Sequence, residues 1–480
     1  MKRKASFLAL ILLSLTSCGS GTSSSTPNSG SIPVGDDYYD KVEERAKFNK
    51  TSNLNFKEDF TNGMSDDVFA VLDAKWDAGG VKPHNGVRKR NIFYTKDSQN
   101  NGYVAIKGRG LYNHDEGTIA GSPEGGCFIT KEHLGPGRYE IKMAAMPREG
   151  GITAFWTYCT TTGSEATSQN EIDIEIGGKT DGTSYEALWA TTWTSHKNTS
   201  HEAPDVTDML YLNDGKIHTY TFDWYTAYPT DKMPRIDWFI DGKLITSISN
   251  DTVPTHEMPL WIGLWFQSWA GEAQFDTDYL LIDEVSYNAF EEKQVFDNCR
   301  TKPSYTQYKP SEAGIQTLSY DTIKTVNKIA NGSFKQTAAS SDGSLDGWFK
   351  DQSSKGTHEV ITEGQKNKLK LTASSDTSDK YHGQYLNQTI TEAYPNYKFD
   401  FKVTAKKADA NSKGQIILYY IDKTGMVLSQ TNIDVTSLED TLYTKEITMP
   451  AKSQKLKVEF TADDGSTTFS DVSLVFKGIA

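Results

Sequence analysis

Between Leu54 and Phe290, short runs rich in Val, Ile, Tyr, Trp and Thr alternate with clusters of Gly, Asn, Asp and Pro. Runs such as Arg138-Tyr139-Glu140-Ile141-Lys142-Met143 and His218-Thr219-Tyr220-Thr221-Phe222-Asp223-Trp224 carry the two-residue period of a half-buried strand. Arg235 to Ile240 runs into Asp241-Gly242, a hairpin turn signal, and then Lys243-Leu244-Ile245. Long amphipathic helical periodicity is absent. Many evenly spaced strands over some 240 residues predict one large antiparallel sandwich.

At 480 residues the chain exceeds one ordinary domain. The strand pattern resumes at Asn331, as in Tyr397 to Val403 and Lys455 to Phe460, which predicts a second, smaller β-sandwich over residues 330–480. The intervening residues 291–329 lack clear periodicity and read as a linker. A chain ending near Glu292 is therefore expected to fold and to act on soluble substrate. The 63 acidic residues outnumber the 50 basic ones, for a net charge of −13. That balance argues against nucleic acid as a partner, because no positive field is available for a phosphate backbone.

Lys2, Arg3 and Lys4 precede a short apolar run from Phe7 to Leu15, too short to span a membrane. Leu15-Thr16-Ser17-Cys18 resembles the bacterial lipobox, which implies a signal peptide over residues 1–18 and lipidation at Cys18. The alternative is an ordinary signal peptide with an incidental cysteine. From Gly19 to about Pro33 the sequence is nearly all Ser, Gly, Thr, Asn and Pro, and a flexible tether is assigned to residues 19–50. The expected address is the bacterial membrane or cell surface, reached by export and held by a lipid anchor. Cys127, Cys159 and Cys299 have no metal-site spacing. Cys127 and Cys159 either bridge two strands or serve as small buried apolar residues.

The chemistry concentrates in Asn170-Glu171-Ile172-Asp173-Ile174-Glu175-Ile176-Gly177-Gly178. In a strand, Glu171, Asp173 and Glu175 project to one face and Ile172, Ile174 and Ile176 to the other. The isoleucines must meet a core, so the carboxylates face a cleft or solvent. Three neighbouring carboxylates repel one another and acidic residues are poor strand formers, so a purely structural reason is hard to find. A solvated acidic ladder is the bland alternative. Glu171 and Glu175 are about 13 Å apart at Cα, a gap two inward-leaning side chains can narrow. Paired carboxylates of this kind cleave glycosidic bonds, one as nucleophile and one as acid then base. Asp173 between them would help set the two pKa values apart.

The E-I-D-I-E run with Ile176-Gly177-Gly178 resembles the signature of glycoside hydrolase family 16. Gly137 to Met143, Gly151 to Tyr158, His218 to Trp224, Trp238 to Gly242, Leu264-Trp265 and Trp269-Ala270-Gly271 agree in order, over roughly residues 54–290. The resemblance implies a concanavalin-A-like β-jelly-roll over 51–290 and a retaining endo-hydrolase of a polysaccharide, foremost a β-glucan. It assigns Glu171 as nucleophile, Asp173 as assisting carboxylate and Glu175 as acid/base. No extra residue interrupts the run as in laminarinase-like members, so it is closer to lichenases and xyloglucan-active members. Galactans or host glycans are alternative substrates. A transglycosylase, or a noncatalytic surface glycan-binding lipoprotein, is the alternative function.

Candidates for stacking on sugar rings are Trp156, Trp189, Trp193, Trp265 and Trp269, with Trp265 and Trp269 favoured for the cleft. Trp224 and Trp238 are assigned to the core, and His218 to a packed, hydrogen-bonded role. Asn85, Arg88 and Arg90 either reach substrate or form a solvated basic turn. Asn331-Gly332-Ser333-Phe334, Trp348, Tyr385, Gln388 and Phe469 to Leu474 resemble carbohydrate-binding modules of the family 4 and 9 type. No cofactor is required and no metal ligands are assigned, although a structural calcium ion is compatible with the fold. A monomer with a polysaccharide or oligosaccharide partner is expected.

Overall fold

A computed structural model describes residues 55–75, 86–119, 121–160, 168–178, 188–202, 212, 214–226, 234–290, 305–336 and 342–480. Two sheets form the first sandwich. One runs, edge to edge, through Asn198–Glu202, Trp189–Ser195, Gln169–Gly177, Gly151–Thr160, Leu260–Phe266, Gly126–Thr130, Phe69–Asp73 and Thr306–Tyr308. The other runs through Lys243–Ile248, Arg235–Ile240, His218–Tyr225, Gly137–Ala144, Thr277–Ala289, Gly102–Arg109, Ile92–Lys96 and Gln316–Thr317, with Phe56–Glu58 beside Thr277–Ala289. This is the expected β-jelly-roll. Ile172, Ile174 and Ile176 enter the core between the sheets with Phe155, Phe222, Trp224 and Trp238. Their burial is the main driving force, at about 1.5–3 kcal/mol for each large apolar side chain. Asp241 and Gly242 both adopt positive φ at the tip of their hairpin, as the turn signal requires.

The connecting segment, read from the sequence as a linker without clear periodicity, contributes a strand to each sheet. Thr306–Tyr308 pairs with Phe69–Asp73 in one sheet, and Gln316–Thr317 pairs with Ile92–Lys96 in the other. A short helix, Tyr320–Lys324, follows. Tyr305 packs edge-on against Trp261, and Lys89 Nζ sits 4.2 Å from the Tyr308 ring centre. Such short strands add mostly backbone pairing, and side-chain periodicity cannot register that.

The second sandwich pairs two five-stranded sheets. One runs Phe349–Lys350, Gln384–Ile390, Ser453–Ala462, Gln415–Asp422 and Val427–Asp434; the other runs Thr357–Glu363, Lys366–Thr372, Ser466–Ile479, Tyr397–Lys407 and Thr441–Thr448. Trp348, Phe460 and Phe469 stack in its core. A cavity of about 460 Å³ lies between the two sandwiches, lined by Arg148, Asp278, Lys328 and Glu392 among others. None of the three carboxylates lines it.

The cysteines correct one expectation. Cys127 is free and buried, whereas Cys159 is disulfide-bonded. The two do not bridge each other, and the partner of Cys159 lies outside the described residues. Asn85 and Cys18 also lie outside them. Among the described residues no helix is long and apolar enough to cross a membrane.

Candidate active site

The strand Gln169–Gly177 lies between Gly151–Thr160 and Trp189–Ser195. Cross-strand register decides which side chains share a face with the carboxylates. Tyr158 and Trp193 flank Glu171, Trp156 and Thr191 flank Asp173, and Ala154 and Trp189 flank Glu175. One strand further, Trp261 lies opposite Trp156. This outer face continues into a second apolar cluster with Ile152, Ile129 and Leu72, separate from the core between the sheets. The carboxylates thus sit on a floor of indoles and small side chains, with the isoleucines anchored beneath.

Asp173 is 4% exposed. Its Oδ2 accepts the Trp193 Nε1–H at 3.1 Å, and its main-chain oxygen accepts the Trp238 Nε1–H at 3.0 Å from across the core. Burial, then the neighbouring Glu171 and Glu175, hold its carboxyl well above the usual range. Asp173 also hydrogen-bonds Glu171, and the Gln169 side-chain amide donates to Glu171 Oε2. Burial pushes Glu175 up to about 7. The strand therefore presents a buried carboxyl at Asp173 whose protonated form is favoured, a hydrogen-bonded carboxyl at Glu171, and a group at Glu175 that exchanges a proton near neutrality. Among the described residues no cluster of three His, Cys, Asp or Glu side chains is arranged to hold a metal ion.

The five tryptophans divide. Trp189 stacks on Trp269, with ring centres 4.5 Å apart and planes 18° apart, and Trp265 meets Trp269 edge-on at 6.5 Å. These three and Trp193 are half-buried along the carboxylate face. Trp156 is on the same face but buried, stacked on Trp261 at 5.6 Å, so it forms the floor rather than a free platform. Trp224 and Trp238 fill the core as expected. His218 bonds Asp241 at 2.8 Å and Asp214 at 3.3 Å, on the opposite sheet. Arg88 pairs with Asp73 at 2.7 Å, and Arg90 forms a two-pronged pair with Glu124 at 2.9 and 2.6 Å. Tyr158, Thr191 and Trp261 belong to the face too. Tyr, Thr and Trp are ordinary strand residues, so only register reveals that these three share the face.

The site is thus a two-sheet jelly-roll face on which three alternating carboxylates lie between indoles, an arrangement that paired-carboxylate chemistry on sugars can use. Residues 89–281, within the first sandwich, match the model of glycosyl hydrolases family 16. The chain is 30% identical to a xylanase/beta-glucanase of Ruminococcus flavefaciens, over 34% of this chain and 19% of that protein. It is 30% identical to a beta-glucanase of Acetivibrio thermocellus over 30% and 40% of the two chains, and 31% identical to one of Bacillus subtilis over 28% and 51%. The chain thus spans between a fifth and about half the length of these relatives.

Proposed function

We propose that this protein is a retaining, endo-acting glycoside hydrolase that cleaves internal bonds of a β-glucan of 1,3-1,4 or 1,3 linkage. The observation that carries this is the single strand face on which Asp173, hydrogen-bonded to Glu171, lies two residues from Glu171 on one side and two from a Glu175 tuned to about 7 on the other. Relatives named beta-glucanases support the substrate class. Glu171 attacks the anomeric carbon while Glu175 gives its proton to the departing glycosidic oxygen. Water then attacks the same carbon, Glu175 takes the water proton, and Glu171 leaves. Asp173 keeps its proton and donates to Glu171, which restrains the nucleophile and limits repulsion along the row.

The second sandwich supports an accessory glycan-binding role. On its first sheet, Leu386, Val458, Phe460 and Leu418 face the core. The alternate positions place Phe349, Asn387 and Glu459 in one register row, with Tyr385 and Tyr419 nearby. The Tyr419 hydroxyl donates to Glu459 at 2.8 Å. Aromatic faces beside polar side chains suit a sugar chain. The outer face of the other sheet instead carries Lys370, Lys398, Lys402 and Lys406 beside Glu359, Glu363 and Asp400, a charged surface. Trp348 and Gln388 are buried and support the fold. Export and anchoring through Cys18, in a monomer, complete the proposal.

Screening the soluble form on β-glucans, galactans and mucin glycans tests the substrate class. Internal cleavage of a β-glucan with first products of the same anomeric configuration is expected; cleavage of galactan or mucin glycan alone would overturn it.

A further inference from the structure

Four charged side chains are buried where the sandwiches meet: Arg148 and Asp278 of the first, Lys328 of the connecting segment and Glu392 of the second. Arg148 Nε lies 3.1 Å from Glu392 Oε2, and its Nη1 3.8 Å from Asp278 Oδ2. Lys328 pairs with Asp278. Glu392 Oε1 accepts the Glu149 backbone N–H and the Thr391 hydroxyl, both at 2.7 Å. One carboxylate of the second sandwich therefore faces the Arg148 guanidinium as an ion pair and hydrogen-bonds the next peptide. Buried charges persist only when paired in this way.

The turn so held reaches the cleft on two sides. Gly178 ends the carboxylate motif, and a Cβ there would lie 1.9 Å from the Arg148 carbonyl oxygen. Only glycine fits, and its N–H donates to Gly151 O at 3.1 Å. On the other side, the Gly150 N–H donates to Ala270 O at 2.9 Å. The Glu149 side chain lies against Gly271, where a Cβ would come within 2.3 Å of Oε1. Ala270 and Gly271 directly follow Trp269, the ring stacked on Trp189, and Trp189 flanks Glu175. The path from Glu392 to the indole pair is continuous.

We infer that the second sandwich is a structural part of the cleft: Glu392 is a positioning residue that, through the turn Arg148-Glu149-Gly150, sets the Trp189–Trp269 pair on which a sugar ring packs. This rests on the cleft being a β-glucan site, and the inference assigns the second sandwich a task besides any glycan binding of its own.

A double-mutant cycle in the full chain tests it, using Glu392→Ala, Trp269→Ala and the pair, read by kinetics on soluble mixed-linkage β-glucan and by near-ultraviolet circular dichroism. Glu392→Ala is expected to raise KM about tenfold with kcat within about threefold, and to change the tryptophan dichroism. In the Trp269→Ala background the same change should add less than about twofold to KM and leave the dichroism unmoved. If Glu392→Ala does not fold, Glu392→Gln carries the same cycle, since it keeps an acceptor for the Glu149 N–H and loses the charge facing Arg148. Parental KM and dichroism in the folded variants, or equal effects with and without Trp269, would overturn the inference. If the parent does not cleave β-glucan at all, the functional proposal fails, while the dichroism cycle still decides the positioning.

Discussion

The Trp193 indole N–H donates to Asp173 Oδ2 at 3.1 Å, from the position directly opposite Glu171 on the neighbouring strand. One ring thus flanks the proposed nucleophile and satisfies one oxygen of the buried carboxyl that restrains it. Trp193→Phe keeps most of the ring and removes the donor. Leaving a buried acceptor unpaired costs about 1–3 kcal/mol. We expect kcat/KM to fall roughly tenfold with the fold retained; a parental value would separate Trp193 from the chemistry.

In its proposed role as the acid Glu175 must carry its proton, and burial pushes its pKa up to about 7. Activity should therefore decline as pH rises through about 7. In Glu175→Ala, assayed on an aryl glycoside whose leaving group needs no proton, that alkaline decline should disappear. A decline unchanged in the variant would assign it to another group.

The same shift predicts a stability effect. In the unfolded chain Glu175 ionises near 4.5, and in the folded protein near 7. The unfolded state thus holds fewer protons between those values, and folding stability falls as pH rises through that window. Glu175→Gln removes the penalty, so the variant should gain roughly 1–3 kcal/mol over the parent at pH 8 and little at pH 4. Equal thermal melts of the two proteins at pH 8 would contradict the burial of the ionised carboxyl.

A chain ending near Glu292 now carries the opposite expectation from the one its sequence suggests. It lacks Thr306–Tyr308 and Gln316–Thr317, one strand from each sheet, together with Lys328 and Glu392. It should melt about 10 °C or more below the full chain and lose activity on soluble as well as insoluble β-glucan. Full activity on soluble oligosaccharide would show that the first sandwich stands alone.

The carboxylate strand was legible because alternating acids and isoleucines leave one face without a structural reason to exist. Trp224 and Trp238 were placed in the core by the same two-residue period. Tyr158, Thr191 and Trp261 were not, because their importance lies in which residue each opposes. Arg148 and Glu392 are 244 positions apart in the chain, and no local pattern links them. That Cys127 is free while Cys159 is bonded was not legible, because strand position does not reveal which thiols approach. The connecting segment paired through its backbone, which leaves no trace in side-chain periodicity.

The role of Glu171 is tested most directly by chemical rescue. Glu171→Ala should be folded and inactive on a β-glucan aryl glycoside, and added azide should restore turnover by occupying the vacated face. Proton NMR should show a glycosyl azide of configuration opposite to the bond cleaved, while the parent gives first products of retained configuration. Parental activity in Glu171→Ala without azide, or inverted first products from the parent, would contradict Glu171 as the nucleophile.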